Sequence, residues 1–427
     1  MRRARPRYAM KILHLSTYDL SGGAARAAYR VHRCLLRYGM QSEMFVRQKT
    51  SKDATVRTRT DLFGRLYFQL LPLMDRVYGR LQRSADDVQR SFNPAPTFSL
   101  RKHVNPNAYD VVMLHFLGQG FLPPCEIGRI KRPVVWLLHD MLPFCGAEHY
   151  TENRLRSIEG YTPKNRPATS RGLDLDRRVW RSKKRYWRPS DMTVVGASHW
   201  ISNLAKESDL FRDLRHEVIP YPLESQKFKP QDRASARALF NLPPARKLFL
   251  FGAVGALHDK RKGFDLLAES VRLLSHQRQD FDLVVFGNRL DDRFDELNVP
   301  CHAIGTLQDD YSLAMLYSAA DVMLVPSRMD NLPQTALESL CCGTPVIAFD
   351  VGGLSDMVKH QVNGYLAAPF STEEFSAGMD WALNAADRNL ASEARKRTVE
   401  FTDERRIGQR YNDLFQSLLA AAPRSGR

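Results

Sequence analysis

The stretch DVMLVPSRMDNLPQTALESLCCGTPVIAFDVGGLSDMVKHQVNG, from Asp321 to Gly364, decides the fold. It begins with a short apolar run, 321–326, of the kind found in parallel strands that are buried on both faces. A short helix is predicted next, because Pro333 stands where a helix can spare an amide proton and Gly343 can end it. A second buried strand, 346–349, completes a strand, helix, strand unit.

Polar residues follow each of these two strands. Asp330 comes just before the predicted helix, and Glu338 lies about one and a half turns into it, so both carboxylates can approach one crevice from different depths. Gly352-Gly353 opens the helix after the second strand, where exposed backbone amides and the positive helix end suit a phosphate. We therefore expect a ligand at this edge of the sheet.

The same alternation of strands and helices runs through the rest of the chain. It predicts an α/β fold with doubly wound parallel sheets and sites at the carboxyl ends of the strands. His115 follows one of these strands, and His139-Asp140 follows another. In the N-terminal half the predicted strands are 12–15, 42–46, 110–114, 133–138, 192–195 and 217–219.

The stretch PSRMDNLPQTALESLCCGTPVIAFDVGGLSDMV, residues 326–358, resembles the nucleotide-binding half of family 4 of the retaining glycosyltransferases. The resemblance implies the GT-B architecture, in which two Rossmann-like domains face a central cleft, and it extends to bacterial exopolysaccharide, colanic-acid and lipopolysaccharide types. Asp330 stands where Glu is more common in the family. Asn331-Leu332-Pro333 stands where many members have Gly-Phe-Gly.

The N-terminal half carries a second part of the resemblance, in SGGAARAAYRVHRCL (21–35) and LLHDMLPFCGAEHY (137–150). On this match His139 corresponds to the active-site histidine near the donor sugar. The Gly22-Gly23 turn corresponds to a loop between the donor diphosphate and the acceptor. His115, Asp140 and His149 are candidate acceptor-binding residues.

The domain boundaries follow from composition and from the resemblance. We predict a disordered extension at 1–9, an acceptor-binding domain at 10–222 with a helical insertion at about 50–105, and a nucleotide-sugar-binding domain at 223–402. The helix within 403–427 is expected to cross back to the first domain, as in the family. A proline-containing linker, 220–230, joins the two domains.

A cationic loop, which contains Arg261 and Lys262, leads into a predicted helix and is the best phosphate site in the chain. Lys262 matches a family lysine, and Arg261 stands in for a family arginine whose position holds Ala253. The expected catalytic residues are Lys262, Asp330, Glu338 and His139. The expected donor-binding residues are Gly22, Gly23, Arg261, Lys262, Asn331, Leu332, Pro333, Gln334, Thr335, Glu338, Gly352 and Gly353. We expect no cofactor and no metal, because the donor is itself the substrate and no Cys or His cluster has ligand spacing.

Net charge is +16, and the six cysteines show no C-x-x-C pair, which favours reduced thiols over a disulfide framework. An apolar stripe over 62–81, interleaved with arginines and interrupted once by Pro72, is either a surface helix or a membrane-interface helix. A basic aromatic run, 177–188, is more typical of a solvated helix face than of a nucleic-acid site.

The predicted function is retaining transfer of a hexosyl group from a nucleotide-diphosphate sugar to a glycan or a polyprenyl-diphosphate-linked saccharide in cell-surface polysaccharide biosynthesis. We expect a cytoplasmic protein, peripheral on the inner face of the plasma membrane, that contacts anionic lipid and binds no nucleic acid. Two alternatives stay open: a GT-B nucleotide-sugar epimerase, and a non-catalytic basic nucleic-acid-binding protein.

Overall fold

The computed structural model describes residues 9–94, 99–187, 192–252, 255, 259–287, 291–384 and 389–421. The predicted extension at 1–9 therefore lies outside the described residues, except for its last residue. The chain divides into two compact units: unit 1 contains residues 1–222 and 404–427, and unit 2 contains 223–403.

Unit 1 is built on a parallel sheet with helices from the intervening segments. Its elements in chain order are β1 (Lys11–Tyr18), α1 (Gly23–Arg37), β2 (Gln41–Gln48), β3 (Val56–Arg57), α2 (Leu62–Gly79), β4 (Gln82–Ser84), β5 (Val111–Leu114), α3 (Pro124–Ile127), β6 (Val134–Leu138), α4 (Leu155–Glu159), β7 (Ser170–Gly172), α5 (Leu175–Tyr186), β8 (Met192–Gly196), α6 (His199–Glu207) and β9 (Arg215–Val218). Among the described residues the sheet has seven strands in the order β3-β2-β1-β5-β6-β8-β9. Strands β5 and β6 are buried along their whole length, as apolar central strands must be.

The helix α2 continues through Pro72, although a proline inside a helix lacks the amide that its preceding turn needs. The carbonyl of Phe68, four residues earlier, accepts a 3.2 Å hydrogen bond from Arg47 Nη1 instead. A guanidinium from β2 thus supplies the donor that Pro72 cannot, and the helix stays intact.

Lys183 in α5 points inward, although it belongs to the basic run at 177–188. Its buried ammonium donates hydrogen bonds to the carbonyls of Cys145 (3.0 Å), Gly146 (2.7 Å) and Leu142. Burial lowers the pKa of Lys183 to about 8. This part of the run is therefore structural rather than a solvated face.

Unit 2 repeats the plan on a smaller scale. Its elements are α7 (Arg233–Leu239), β10 (Lys247–Gly252), α8 (Phe264–Ser275), β11 (Phe281–Phe286), α9 (Asp292–Asp295), β12 (Cys301–Gly305), α10 (Asp310–Ala319), β13 (Val322–Val325), α11 (Gln334–Cys341), β14 (Val346–Phe349), α12 (Leu354–Met357), β15 (Gly364–Ala367), α13 (Thr372–Leu383) and α14 (Leu390–Phe401). The parallel sheet has the order β12-β11-β10-β13-β14-β15. The described residues of β11, β13 and β14 are all buried.

The last helix, α15 (Glu404–Ala421), belongs to unit 1. It lies against α1, where Cys34 Sγ donates to the Glu404 carbonyl at 3.2 Å and Arg37 pairs with the Glu404 carboxylate. Gly408 faces the ring of Tyr38, and an added Cβ there would lie 2.6 Å from that ring. In the part of the chain that is described, no helix is long and apolar enough to cross a membrane.

Candidate functional site

Three loops of unit 2 meet at the carboxyl edge of its sheet. They follow β10, β13 and β14, which are neighbours in the sheet. The strand order reverses between β10 and β13, and such a switch point leaves a crevice in which α/β proteins bind ligands. The sequence-predicted phosphate and carboxylate residues lie on these loops.

Backbone contacts tie the three loops together. The amide of Arg328 donates to the carbonyl of Arg261 at 2.8 Å, and the amide of Gly353 donates to the carbonyl of Asp330 at 3.0 Å. Gly352 has a φ of 63°, and a Cβ added there would lie 2.0 Å from the Asp330 carbonyl oxygen. Only glycine allows so close an approach in this backbone conformation. The Gly352-Gly353 turn therefore holds the Asp330 loop.

Lys262 and Asp330 form the charged centre of these loops. Lys262 Nζ lies 2.6 Å from Asp330 Oδ2, and Arg261 Nη1 lies 3.8 Å from the same oxygen. Burial opposes ionisation of Asp330, but the two cations outweigh it and lower the pKa of this carboxyl group. An ionised carboxylate and an ammonium therefore stand side by side at the switch point.

Arg261 contributes more than charge to the loop. Its guanidinium donates to the Met329 carbonyl and to Asp259 Oδ2, each at 2.9 Å. The bond to Met329 links the loop after β10 to the loop after β13, and the bond to Asp259 lies within the first of these loops. The role of Arg261 as a diphosphate ligand stays a prediction, and Ala253, the position it was predicted to replace, lies outside the described residues.

Glu338 lies deeper, in α11, with only 2% of its surface exposed. The hydroxyl of the buried Tyr317 donates to Glu338 Oε2 at 2.7 Å. Tyr317, on α10, thus helps to hold the buried carboxylate of Glu338 in α11. The role of Glu338 in sugar binding stays a prediction.

The segment between Asp330 and α11 includes the other predicted donor residues. Asn331, Leu332 and Gln334 are buried, and Pro333 precedes the first helical residue without a side-chain cap. Thr335 lies in the first turn of α11, the helix that follows the loop of Asp330, and the first amides of a helix have no partner within it.

Unit 1 has its own switch point, between β1 and β5. A chain of imidazoles runs through it: His14 Nδ1 lies 2.8 Å from His115 Nε2, and His115 Nδ1 lies 3.1 Å from His139 Nε2. His139 Nδ1 lies 2.8 Å from the hydroxyl of Tyr221. Burial lowers the pKa of His139 to about 4 and that of His115 and His14 well below the usual value. The predicted active-site histidine is therefore neutral near pH 7 and held by both ring nitrogens.

The other predicted residues of unit 1 lie at the same sheet edge. Asp140 Oδ2 lies 2.8 Å from His149 Nδ1, and His149 Nε2 lies 2.9 Å from the hydroxyl of Ser91. Gly22 has a φ of 88° and, together with Gly23, forms the start of α1 directly after β1. The structure thus brings His115 and His139 together and joins Asp140 to His149.

Sequence reasoning missed His14, Tyr221 and Tyr317. His14 lies in the middle of β1, where its partner in register is Met113, two residues before His115. Once β1 and β5 are known to be neighbours in the sheet, the contact between His14 and His115 is expected. No local signal connects Tyr317 to Glu338, because the two residues lie on different helices.

Comparison with solved structures defines the class of the fold. Sucrose-phosphate synthase from Thermosynechococcus elongatus superposes with a TM-score of 0.67 at 20% identity, over 97% of this chain and 100% of that one. WaaG, a glycosyltransferase involved in lipopolysaccharide biosynthesis, gives 0.61 at 16% identity, over 95% and 99%. The predicted α/β fold, with two Rossmann-like parallel-sheet domains of GT-B type, is confirmed.

Comparison with sequences relates part of the chain to a known family. Residues 236–401 match the family model described as Glycosyl transferases group 1. The D-inositol 3-phosphate glycosyltransferase of Xylanimonas cellulosilytica is 26% identical over 383 residues, which cover 84% of each chain. The protein of the same name from Segniliparus rotundus is 30% identical over 182 residues, which cover 40% of each chain. The chain is similar to the group 1 glycosyltransferases over residues 236–401, and the predicted resemblance is confirmed. It spans about half or less of the length of several curated relatives that it matches.

Proposed function

We propose that this protein transfers a hexosyl group from a nucleotide-diphosphate sugar to a glycan or a lipid-linked saccharide, with retention of anomeric configuration. The observation that carries the proposal is the meeting of Lys262, Asp330 and the Gly352-Gly353 turn at one switch point. The match of residues 236–401 to the group 1 glycosyltransferases supports glycosyl transfer, and HepE from Anabaena, which shares the fold with a TM-score of 0.64, was solved in complex with UDP.

The leaving diphosphate is the group that these loops would stabilise. As the bond between the anomeric carbon and the diphosphate oxygen breaks, negative charge grows on the phosphate oxygens, and prearranged cations and amides lower the barrier. Lys262 and Arg261 supply positive charge, and the amides of Leu332, Gln334 and Thr335 supply oriented dipoles. No metal ion is needed in this scheme, so activity should persist in EDTA.

Asp330 and Glu338 are assigned to sugar hydroxyls. Asp330 would accept hydrogen bonds from the donor sugar, for which its lowered pKa keeps the carboxylate ionised. Glu338 would accept them from the ribose. In the glycosyl step, the acceptor oxygen bonds to the anomeric carbon on the face from which the diphosphate departs. The acceptor proton passes to an oxygen of that diphosphate, so no protein nucleophile is required.

His139 is assigned to the donor sugar as a neutral hydrogen-bonding group. Its lowered pKa argues against stabilisation of positive charge on the sugar by an imidazolium. Because His115 and the Tyr221 hydroxyl already contact its two ring nitrogens, one of these contacts would exchange for a sugar hydroxyl when the donor binds. His115, Asp140 and His149 are assigned to the acceptor. The proposed acceptor is a saccharide of cell-surface polysaccharide biosynthesis, carried on polyprenyl diphosphate at the inner face of the plasma membrane.

The experiment is a donor panel with product analysis. The purified chain is incubated with UDP- and GDP-linked hexoses and with saccharide or lipid-linked acceptors, in buffer with EDTA. Formation of a glycoside with the donor's anomeric configuration supports the proposal. An acceptor-free change in the nucleotide sugar would favour the epimerase. Salt-sensitive nucleic-acid binding with no thermal shift from any nucleoside diphosphate would favour the binding protein.

A further inference from the structure

The helix α2 exposes an unusually apolar face. Leu62 and Phe63 are 77% and 82% exposed, and Leu66, Leu70, Leu73 and Val77 are each more than 40% exposed. At 3.6 residues per turn, these six residues fall within about 100° of arc on the helix surface. We refer to them as the apolar face of α2. An exposed cluster of this kind marks an interaction site in most soluble proteins.

The opposite side of the same helix attaches it to unit 1. Phe68 and Leu71 are buried there, and Asp75 Oδ1 accepts the amides of Phe92 (2.9 Å) and Asn93 (2.8 Å). The fold therefore uses one side of α2 and leaves the apolar face to solvent. Packing within unit 1 does not account for six large apolar side chains on that face.

Charge on the flank of the apolar face identifies its partner. Arg65 and Arg76 are exposed on one flank, between the buried side and the apolar face, and Arg80, which caps the end of α2, is exposed in line with Leu62. The acidic residue within α2, Asp75, is buried on the far side. Tyr67 and Tyr78 are half-buried on the other flank. In the interface of a bilayer with anionic lipid, apolar side chains lie among the acyl chains, and arginines and tyrosines lie at the level of the headgroups. The side chains of α2 have this arrangement.

A second copy of the chain fits this face less well. Two α2 helices packed through their apolar faces would bring the arginine flanks into one interface, where the exposed carboxylate at the N-cap of α2, Asp61, is already paired with Arg59. Phosphate groups of anionic lipids supply that balance directly.

We propose that α2 lies in the interface of an anionic bilayer, with the apolar face among the acyl chains and Arg65, Arg76 and Arg80 at the headgroups. This surface deepens the proposed function, because it names the part of the chain that contacts the membrane where a lipid-linked acceptor resides. Its test does not require transferase activity.

The test is flotation of the full chain with vesicles of phosphatidylcholine alone or with phosphatidylglycerol added, at low salt. The wild type should float with the anionic vesicles. The variant Phe63→Ser/Leu66→Ser/Leu73→Ser should bind at least about tenfold more weakly. Each of Arg65→Gln, Arg76→Gln and Arg80→Gln should weaken binding by about fivefold, and only to anionic vesicles.

The matched control is Leu155→Ser/Leu173→Ser, which removes two exposed leucines of unit 1 outside α2, at 47% and 53% exposure. It should bind vesicles as the wild type does. Hydrogen exchange of the wild type with and without vesicles gives a second readout that needs no variant, and it should show protection at 62–81. Nucleoside-diphosphate binding by the α2 variants should be unchanged, which separates this proposal from the donor site.

Three results would overturn the proposal. The wild type does not float with anionic vesicles, or the α2 variants float as well as it does. Alternatively, light scattering shows a wild-type dimer that the α2 variants dissolve into monomers, which would assign the apolar face to a second copy.

Discussion

Replacing Lys262 by Met probes the charged centre of unit 2. The ammonium lies 2.6 Å from Asp330 Oδ2, and the Asp330 side chain is 10% exposed. Met keeps much of the side-chain volume but removes the charge. Of its two cationic neighbours, the buried carboxylate then retains Arg261, whose Nη1 lies 3.8 Å away.

The magnitude follows from burial. Breaking a fully buried ion pair by removing one partner costs about 3–5 kcal/mol. Lys262 is 29% exposed, so solvent already screens part of the pair, and we expect a loss of about 1–2 kcal/mol in the free energy of unfolding. If Lys262 also stabilises the leaving diphosphate, kcat should fall by about 100- to 1000-fold.

Two further variants separate stability from catalysis. Lys262→Met/Asp330→Asn leaves no buried charge without its partner, so it should regain most of the lost stability but none of the lost activity. Lys260→Met removes one charge from an exposed position on the same turn and should leave both quantities close to those of the wild type. Urea unfolding and a transfer assay measure the two effects independently.

The charged pair also predicts how the stability of the fold changes with pH. Lys262 and Arg261 lower the folded-state pKa of Asp330 against the effect of burial, so the ionised carboxylate stabilises the fold above its unfolded pKa. That contribution is lost as the pH falls through the folded pKa. Lys262→Met should flatten this part of the stability profile. A variant with wild-type unfolding and wild-type transfer would refute the reasoning on both counts.

Three other predictions concern Gly352, Tyr317 and Asp75. Gly352→Ala should lower both stability and donor affinity, because its Cβ would lie 2.0 Å from the Asp330 carbonyl; calorimetric donor titration and urea unfolding report the two losses. Tyr317→Phe should lower the free energy of unfolding by about 1–3 kcal/mol, since it removes the hydroxyl that donates a hydrogen bond to the buried Glu338 carboxylate. Glu338→Gln keeps a hydrogen-bond acceptor for Tyr317 and should mainly weaken binding of the nucleotide sugar. Burial raises the pKa of Asp75 to about 6, so the stability of the wild type falls as the pH rises from about 4 to about 6. Over that interval the free energy of unfolding of Asp75→Asn, measured in urea, should rise by about 2–3 kcal/mol relative to that of the wild type.

The local elements of the fold were predictable because their signals are local. The apolar run before Ser327, the helix beginning near Pro333 and the strand 346–349 each follow from neighbouring residues, and the structure has all three elements. The position of Asp330 in a loop and of Glu338 inside a helix follows from the same pattern.

Contacts that join distant elements were not predictable in the same way. Lys262 and Asp330 are 68 residues apart and meet because β10 and β13 are neighbours in the sheet. His14 and His115 meet for the same reason across β1 and β5. Pro72 was predicted to interrupt the apolar stripe, yet the helix continues because Arg47, on another element, reaches the Phe68 carbonyl. The two strand-end contacts depend on strand order, and the contact of Arg47 depends on where α2 packs; a single sequence states neither.

Hydrogen exchange with a nucleoside diphosphate tests the central claim most directly. If the three loops of unit 2 form one donor site, UDP or GDP should protect segments 259–263, 326–336 and 350–354 together, and the corresponding nucleoside monophosphate should protect them less. Protection confined to other segments, or none with either diphosphate at saturating concentration, would contradict the account.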